Sequence, residues 1–288
     1  MGARCLIGRH EACDLQILDA RVSSEHASLH WLGDRWELRD LGSRNGTFVD
    51  RKRVAPGERI GLIEGAVFSF GGSGKEWTLM DASPPIVAAR NARTGEARLG
   101  AGQLLLLPND QAPLVSIFEE TSGRWVMESD ATQRAVRDHE PVIVAGESWI
   151  LELPTSSGAT LAAGQELVLE DVGLRIAVSR DEEHVELSLL YGGRSVVLPS
   201  RSYHYMLLTL ARLRARDTDL SPAERGWVDR EELCGMLATD ALKLNTDICR
   251  LRKQLAEAGV QGAAGIVARR QGSGQLRLGI EKVEITNL

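Results

Sequence analysis

Apolar and polar residues alternate in short runs over about two thirds of the chain, and then the period changes. Ala27-Ser28-Leu29-His30-Trp31 and Trp36-Glu37-Leu38-Arg39 have the period of two that places one face of a strand in a core and the other in water. Further strands are expected at residues 103–107, 114–118, 125–128 and 148–153, separated by glycine, proline, aspartate and asparagine. Three more are expected at 174–178, 185–190 and 195–198, the last two joined through Gly192-Gly193, a hairpin signal.

From Ser200 onward apolar residues recur at helical spacing. Tyr203, Met206, Leu207, Leu210 and Leu213 form one stripe, which Ser200 or Ser202 can cap. Asp229-Arg230-Glu231-Glu232 opens a short second helix. A third, at about 241–258, buries Leu244, Ile248, Leu251 and Leu255, leaving Asn245, Thr246, Cys249, Arg250 and Lys253 on the opposite face and Arg252 at its margin. Residues 266–270 and 275–278 then form a basic hairpin.

The linker Asp81-Ala82-Ser83-Pro84-Pro85 divides this pattern, because two successive prolines cannot continue a strand ladder. The fold class is therefore multidomain and mainly β with a C-terminal α+β domain, over residues 1–83, 84–170 and 171–288. A length of 288 residues is enough for two or three domains with cores of their own, and 43% hydrophobic with 26% charged is the ordinary balance of a soluble globular chain.

Within residues 1–80, three polar clusters fall between the strands: Gly8-Arg9, Ser23-Ser24-Glu25-His26 and Ser43-Arg44-Asn45-Gly46-Thr47. Arg9 offers a planar, permanently charged fork to two oxygens of an anion, and Ser23 and Ser24 add hydroxyl donors. Asn45 carries both a donor and an acceptor suited to a peptide main chain, and Gly46 follows where a turn needs positive φ.

In order and spacing these clusters resemble the forkhead-associated (FHA) domain. That resemblance implies a β-sandwich whose apical loops bind phosphothreonine peptides. Arg9 and Ser23 match its phosphate ligands, Ser24 a variable position beside them, and Arg44 and Asn45 the positions that hold the peptide backbone. Gly8, His26 and Gly46 match positions that brace the loops. Residues 84–170 suggest a second copy, with Trp125 falling on Trp36, that has lost every phosphate-site residue; the alternative is an unrelated β spacer.

Residues 172–280 are similar to the winged-helix DNA-binding output domain of response regulators, through Val197-Leu198, the run from Ile248 to Leu255 and Gly272-Ser273-Gly274. The resemblance implies a helix-turn-helix with its third helix in the major groove. On chemical grounds Asn245 and Arg250 can read base edges, Arg252, Lys253, Arg269 and Arg270 can pair with phosphate, and Thr246 joins the expected DNA-binding set. The chain departs from the pattern at Gln275, where an aromatic is usual, and at Cys249, and Asp247 has the wrong sign for DNA.

Charge bears on which end meets nucleic acid. The net −6 is the sum of 11 Lys+Arg against 11 Asp+Glu in residues 1–80, 8 against 17 in 81–183, and 14 against 10 in 184–280, with Lys282, Glu281 and Glu284 completing the total. Only the last third is basic, and the acidic middle repels DNA phosphate. Cys5, Cys13, Cys234 and Cys249 have no metal-ligand spacing and are expected as reduced thiols.

No Gly-rich phosphate loop or nucleophile motif favours an enzyme, and no cofactor or metal is implied. No apolar run of membrane length and no signal segment is seen, so a cytoplasmic protein without a membrane partner is expected. The function expected is phosphothreonine-dependent transcription regulation. The protein partner is a Ser/Thr kinase or its substrate, and double-stranded DNA meets the C-terminal end, with a homodimer reading paired half-sites. The alternative is a phospho-dependent scaffold whose winged helix contacts protein.

Overall fold

The computed structural model describes residues 4–32, 34–72, 74–120, 122–129, 132–154, 167–270 and 272–288. The chain forms two compact units, Met1–Ala88 with Glu152–Ala162, and Ala89–Leu151 with Ala163–Leu288. Among the described residues no helix is long and apolar enough to cross a membrane.

The first unit is a sandwich of two sheets. Its strands are β1 (Arg4–Gly8), β2 (Leu15–Gln16), β3 (Ala27–Trp31), β4 (Trp36–Asp40), β5 (Thr47–Val49), β6 (Lys52–Val54), β7 (Arg59–Leu62), β8 (Val67–Phe70) and β9 (Glu76–Thr78). They pair in the orders β2-β1-β3-β4-β7 and β6-β5-β8-β9. Alternation does what the sequence predicts. Cys5 and Ile7 of β1, Leu29 of β3 and Trp36 and Leu38 of β4 point into a core shared with Val54, Leu62 and Phe70.

Register brings the polar clusters together. Ile7 pairs with Ala27 and Ala27 with Asp40, so the loops after β1, before β3 and after β4 leave the sandwich at one end.

The second unit begins with β10 (Ala88–Asn91), β11 (Ala97–Leu99), β12 (Leu104–Leu107), β13 (Val115–Glu119), β14 (Trp125–Ser129), β15 (Thr132–Ala135), β16 (Pro141–Val144) and β17 (Glu147–Glu152). They form the sheets β11-β10-β17-β16 and β12-β13-β14-β15. The duplication suggested by sequence does not match this connectivity. Trp125 does open β14 as Trp36 opens β4, but β14 turns straight back to β15 in its own sheet, where β4 is followed by β5 in the opposite sheet.

The remainder holds β18 (Leu167–Val168), β19 (Gly173–Val178), β20 (Val185–Tyr191), β21 (Arg194–Val197), helices α1 (His204–Arg216), α2 (Arg230–Met236) and α3 (Ala241–Glu257), then β22 (Val260–Gln261), β23 (Val267–Arg269), β24 (Leu276–Leu278) and β25 (Val283–Asn287). Gly192 and Gly193, both at positive φ, make the two-residue turn between β20 and β21. The α1 cap differs from expectation. Tyr203 holds the N-cap position without a side-chain bond, and the Ser200 hydroxyl donates instead to the Val185 carbonyl at 3.2 Å. Asp229 and Asp240 cap α2 and α3 by accepting from the Glu231 and Lys243 amides.

The largest difference lies on α3. Its predicted stripe of Leu244, Ile248, Leu251 and Leu255 is buried, but so are Asn245, Cys249 and Arg252 on the side expected to face solvent. The cause is a second packing layer. Cys249 and Ala264 join Leu104, Leu106, Phe118 and Val126 of the β12–β15 sheet in a core of their own. Residues 89–151 and 171–288 thus share one compact unit.

Candidate functional site

The loops at the end of the first unit are laced by main-chain bonds. Arg9 and His10 amides donate to the Ser23 and Ser24 carbonyls at 2.9 and 3.1 Å. Gly8 makes this approach possible, since a Cβ there would lie 2.2 Å from the Ser24 oxygen. Side chains tie in the third loop: the Ser23 hydroxyl accepts from the Arg44 amide at 3.2 Å, and Asn45 Nδ2 donates to the Arg21 carbonyl at 2.7 Å.

His26, fully buried, stands at the junction. Its Nδ1 accepts from the Ser23 amide at 3.0 Å, which leaves the proton on Nε2 to donate to the Gly46 carbonyl at 3.1 Å. The ring meets Phe70 edge-on, 5.4 Å between centroids. Burial lowers its basicity, against the opposing pull of the Gly46 carbonyl and Asp40.

Asp40 shapes the 41–47 loop, and the sequence reading passed over it. One carboxylate oxygen accepts from the Gly42 and Ser43 amides at 2.8 and 2.9 Å, the other from the Ser43 and Thr47 hydroxyls at 2.7 and 2.6 Å. Burial pushes its pKa up, but these donors outweigh burial and hold it below the usual carboxylate range. The available signal was an aspartate closing a strand three residues before a serine, an Asx-turn pattern.

The five residues expected to meet a phosphopeptide, Arg9, Ser23, Ser24, Arg44 and Asn45, come together on this braced surface. Arg9 spends only Nε, at 3.3 Å on the Val22 carbonyl. Among the described residues its terminal nitrogens and the Arg44 guanidinium have no partner, whereas Arg21 is paired to Asp19 at 2.9 Å. Arg9, Ser24, Arg44 and Asn45 are exposed and Ser23 is half-buried. The result is a hydrogen-bonded surface with unspent donors on Arg9, Ser23 and Arg44, suited to a multiply charged anion.

The residues expected to meet DNA lie differently. Arg252 is 2% exposed and binds Glu128 through both terminal nitrogens, at 2.9 and 3.3 Å, and the Ser116 hydroxyl at 3.2 Å. Arg269 also reaches Glu128, at 3.3 Å. Burial pushes the Glu128 pKa up, but the two guanidiniums prevail and keep it lowered. Arg250 donates to the Gln111 carbonyl at 2.6 Å, Lys253 pairs with Asp110 at 2.6 Å, and Asn245 reaches the Leu114 carbonyl at 3.5 Å.

Thr246 bonds back to the Leu242 carbonyl within α3. Arg270 pairs with Glu224 and lies over the Trp227 ring, 4.8 Å from its centroid. The face of α3 that was to be open to DNA is therefore occupied by the chain itself. Sequence spacing could not reveal this, because the partners lie more than 120 positions away.

Comparison with known proteins agrees with the first unit. The family model of the FHA domain matches residues 5–71. The FHA domain-containing protein FhaB of Mycobacterium tuberculosis is 42% identical over 55 residues, 19% of this chain and 36% of FhaB. An oxoglutarate dehydrogenase inhibitor of Corynebacterium jeikeium is 44% identical over 45 residues, 16% of this chain and 31% of that protein. The chain thus spans about a third of the length of these relatives.

Among solved structures, Mycobacterium tuberculosis EmbR in complex with a low-affinity phosphopeptide aligns at 26% identity over 29% of this chain and 21% of EmbR, with a TM-score of 0.26. The N-terminal FHA domain of Saccharomyces cerevisiae Rad53p with a phosphothreonine peptide aligns at 27% identity over 25% of this chain and 58% of that one, with a TM-score of 0.23.

Proposed function

We propose that the loops of the FHA domain bind a phosphothreonine segment of a Ser/Thr kinase or of its substrate, through Arg9, Ser23, Ser24, Arg44 and Asn45. The observation that carries this reading is the set of unspent donors on Arg9, Ser23 and Arg44, held by backbone lacing and by His26 and Asp40. A phosphate monoester offers acceptor oxygens and nearly two negative charges to such a surface.

In this reading the protein is a cytoplasmic, phosphothreonine-dependent regulator of transcription, and residues 171–288 are its winged-helix DNA-binding domain. Three helices followed by the β23–β24 hairpin are consistent with that role. Docking of the phosphorylated partner recruits or pairs the chains at DNA half-sites. Isothermal calorimetry of the full chain against a peptide library in threonine, phosphoserine and phosphothreonine forms tests the first step, which requires heat from the phosphothreonine set alone.

The alternative, a phospho-dependent scaffold, is favoured by one observation, the closure of the α3 face by Glu128, Asp110 and Gln111. DNA binding that falls steeply with salt separates the two readings, since several Lys and Arg contacts to phosphate release counterions and a scaffold shows no such slope.

A further inference from the structure

The interface over α3 has an unusual composition for a permanent joint. A layer that never separates is normally apolar, and replacing a buried ion pair by packed hydrophobic residues is often neutral or stabilising. Here a small apolar core around Cys249 and Phe118 encloses the buried cluster of Arg252, Arg269 and Glu128, and is edged by Lys253 with Asp110 and by Arg250 on a main-chain carbonyl. Charged groups stand on both sides of the joint, Arg250, Arg252, Lys253 and Arg269 on one and Asp110 and Glu128 on the other, the polar character of interfaces between domains that move.

The chemistry of the contacts also has a direction. Every cation that the helix and hairpin present here meets an oxygen: carboxylates at Asp110 and Glu128, a carbonyl at Gln111. Glu128 binds Arg252 through both of its oxygens, as a phosphate would.

We infer that the β12–β15 sheet is a cover that mimics a polyanion, closing the α3 surface against nucleic acid until it is released. This rests on reading residues 171–288 as a DNA-binding domain. In the closed arrangement Arg250, Arg252 and Lys253 are spent, so the chain binds duplex weakly. Lifting the sheet frees these cations together and at the same time removes Asp110 and Glu128 from the approach of an anionic ligand.

The test uses the full chain and a fluorescently labelled random 30-base-pair duplex, read by anisotropy at low and moderate salt, with amide exchange across α3 reporting whether the cover has lifted. Asp110→Lys acts on a half-exposed residue at the rim and should not disturb the core. Glu128→Gln removes the central charge while keeping its shape. Both should tighten duplex binding by about tenfold or more and accelerate exchange in α3, and adding Arg250→Ala should remove most of the gain. Wild-type binding as tight as that of the variants, or α3 amides equally protected in all of them, would overturn the cover while leaving the DNA reading intact. Faster exchange with no duplex binding would instead show that the uncovered face has no use for DNA, and the proposal fails with that reading.

Discussion

Thr47 donates its hydroxyl to the Asp40 carboxylate at 2.6 Å, bridging the end of one sheet to the start of the other beneath the loop that carries Arg44 and Asn45. With Ser43 and two amides on the same carboxylate, the loop is shaped from below. Asp40→Ala should cost about 3 kcal/mol, because several buried donors lose their acceptor at once. Urea unfolding of the full chain followed by tryptophan emission measures it, and an unchanged midpoint for the first transition would remove Asp40 from this role.

Acid should loosen the same end in two stages. His26 has a native pKa below its ordinary 6.5, so its neutral form contributes stability present above that value and lost as pH falls beneath it. Asp40 is held below its ordinary 3.8, so its contribution is intact above about pH 4 and disappears under it. Nuclear magnetic resonance titration of the His26 ring should give a midpoint under 6.5. A midpoint above that value contradicts the buried neutral tautomer.

Arg9→Ala should weaken phosphothreonine binding by roughly 1.5–3 kcal/mol, the worth of a charged hydrogen-bonded contact, or about 10- to 150-fold. Arg21→Ala provides the contrast, since Arg21 is already paired with Asp19. Its loss should be smaller, and equal losses in a titration of both variants would refute the distinction drawn between them.

Gly8→Ala places a methyl group 2.2 Å from the Ser24 carbonyl, so the first and second loops must part. Binding should fall by at least tenfold even though Arg9 is unchanged. Wild-type affinity in the same calorimetric titration would show that the lacing is dispensable.

In the second unit, Arg252→Ala leaves the Glu128 carboxylate deeply buried with Arg269 as its remaining guanidinium partner, at an expected cost of about 3–5 kcal/mol. The triple replacement Glu128→Leu with Arg252→Met and Arg269→Met should recover most of that loss in thermal unfolding. If the triple variant is no more stable than the single one, the ion cluster is a net stabiliser and not a device for separability.

Local patterns made the strands and helices legible. Leu29, Trp36 and Leu38 announce their sheet by period, and Leu244 through Leu255 announce α3. The polar clusters of the loops were equally visible, because each is a short contiguous run of residues, but the bonds that join them, across 21 positions for Ser23 and 24 for Asn45, were not. What sequence could not show is pairing at a distance. Arg252 looks like any marginal cation of an amphipathic helix until Glu128, on a strand 124 positions earlier, is placed against it. Strand β10 was missed because Ala88-Ala89-Arg90-Asn91 has little intrinsic preference for extended chain, and β25 because it joins a sheet formed a hundred residues earlier.

The lacing of the first-unit loops also sets how a ligand must be met. Since the Arg44 amide and the Asn45 side chain are anchored to Ser23 and Arg21 by the protein itself, capture should freeze little additional motion in the receptor, and the entropic cost falls mainly on the incoming peptide. Unstructured tails and activation loops bearing the modified threonine would then differ in affinity chiefly through their own stiffness.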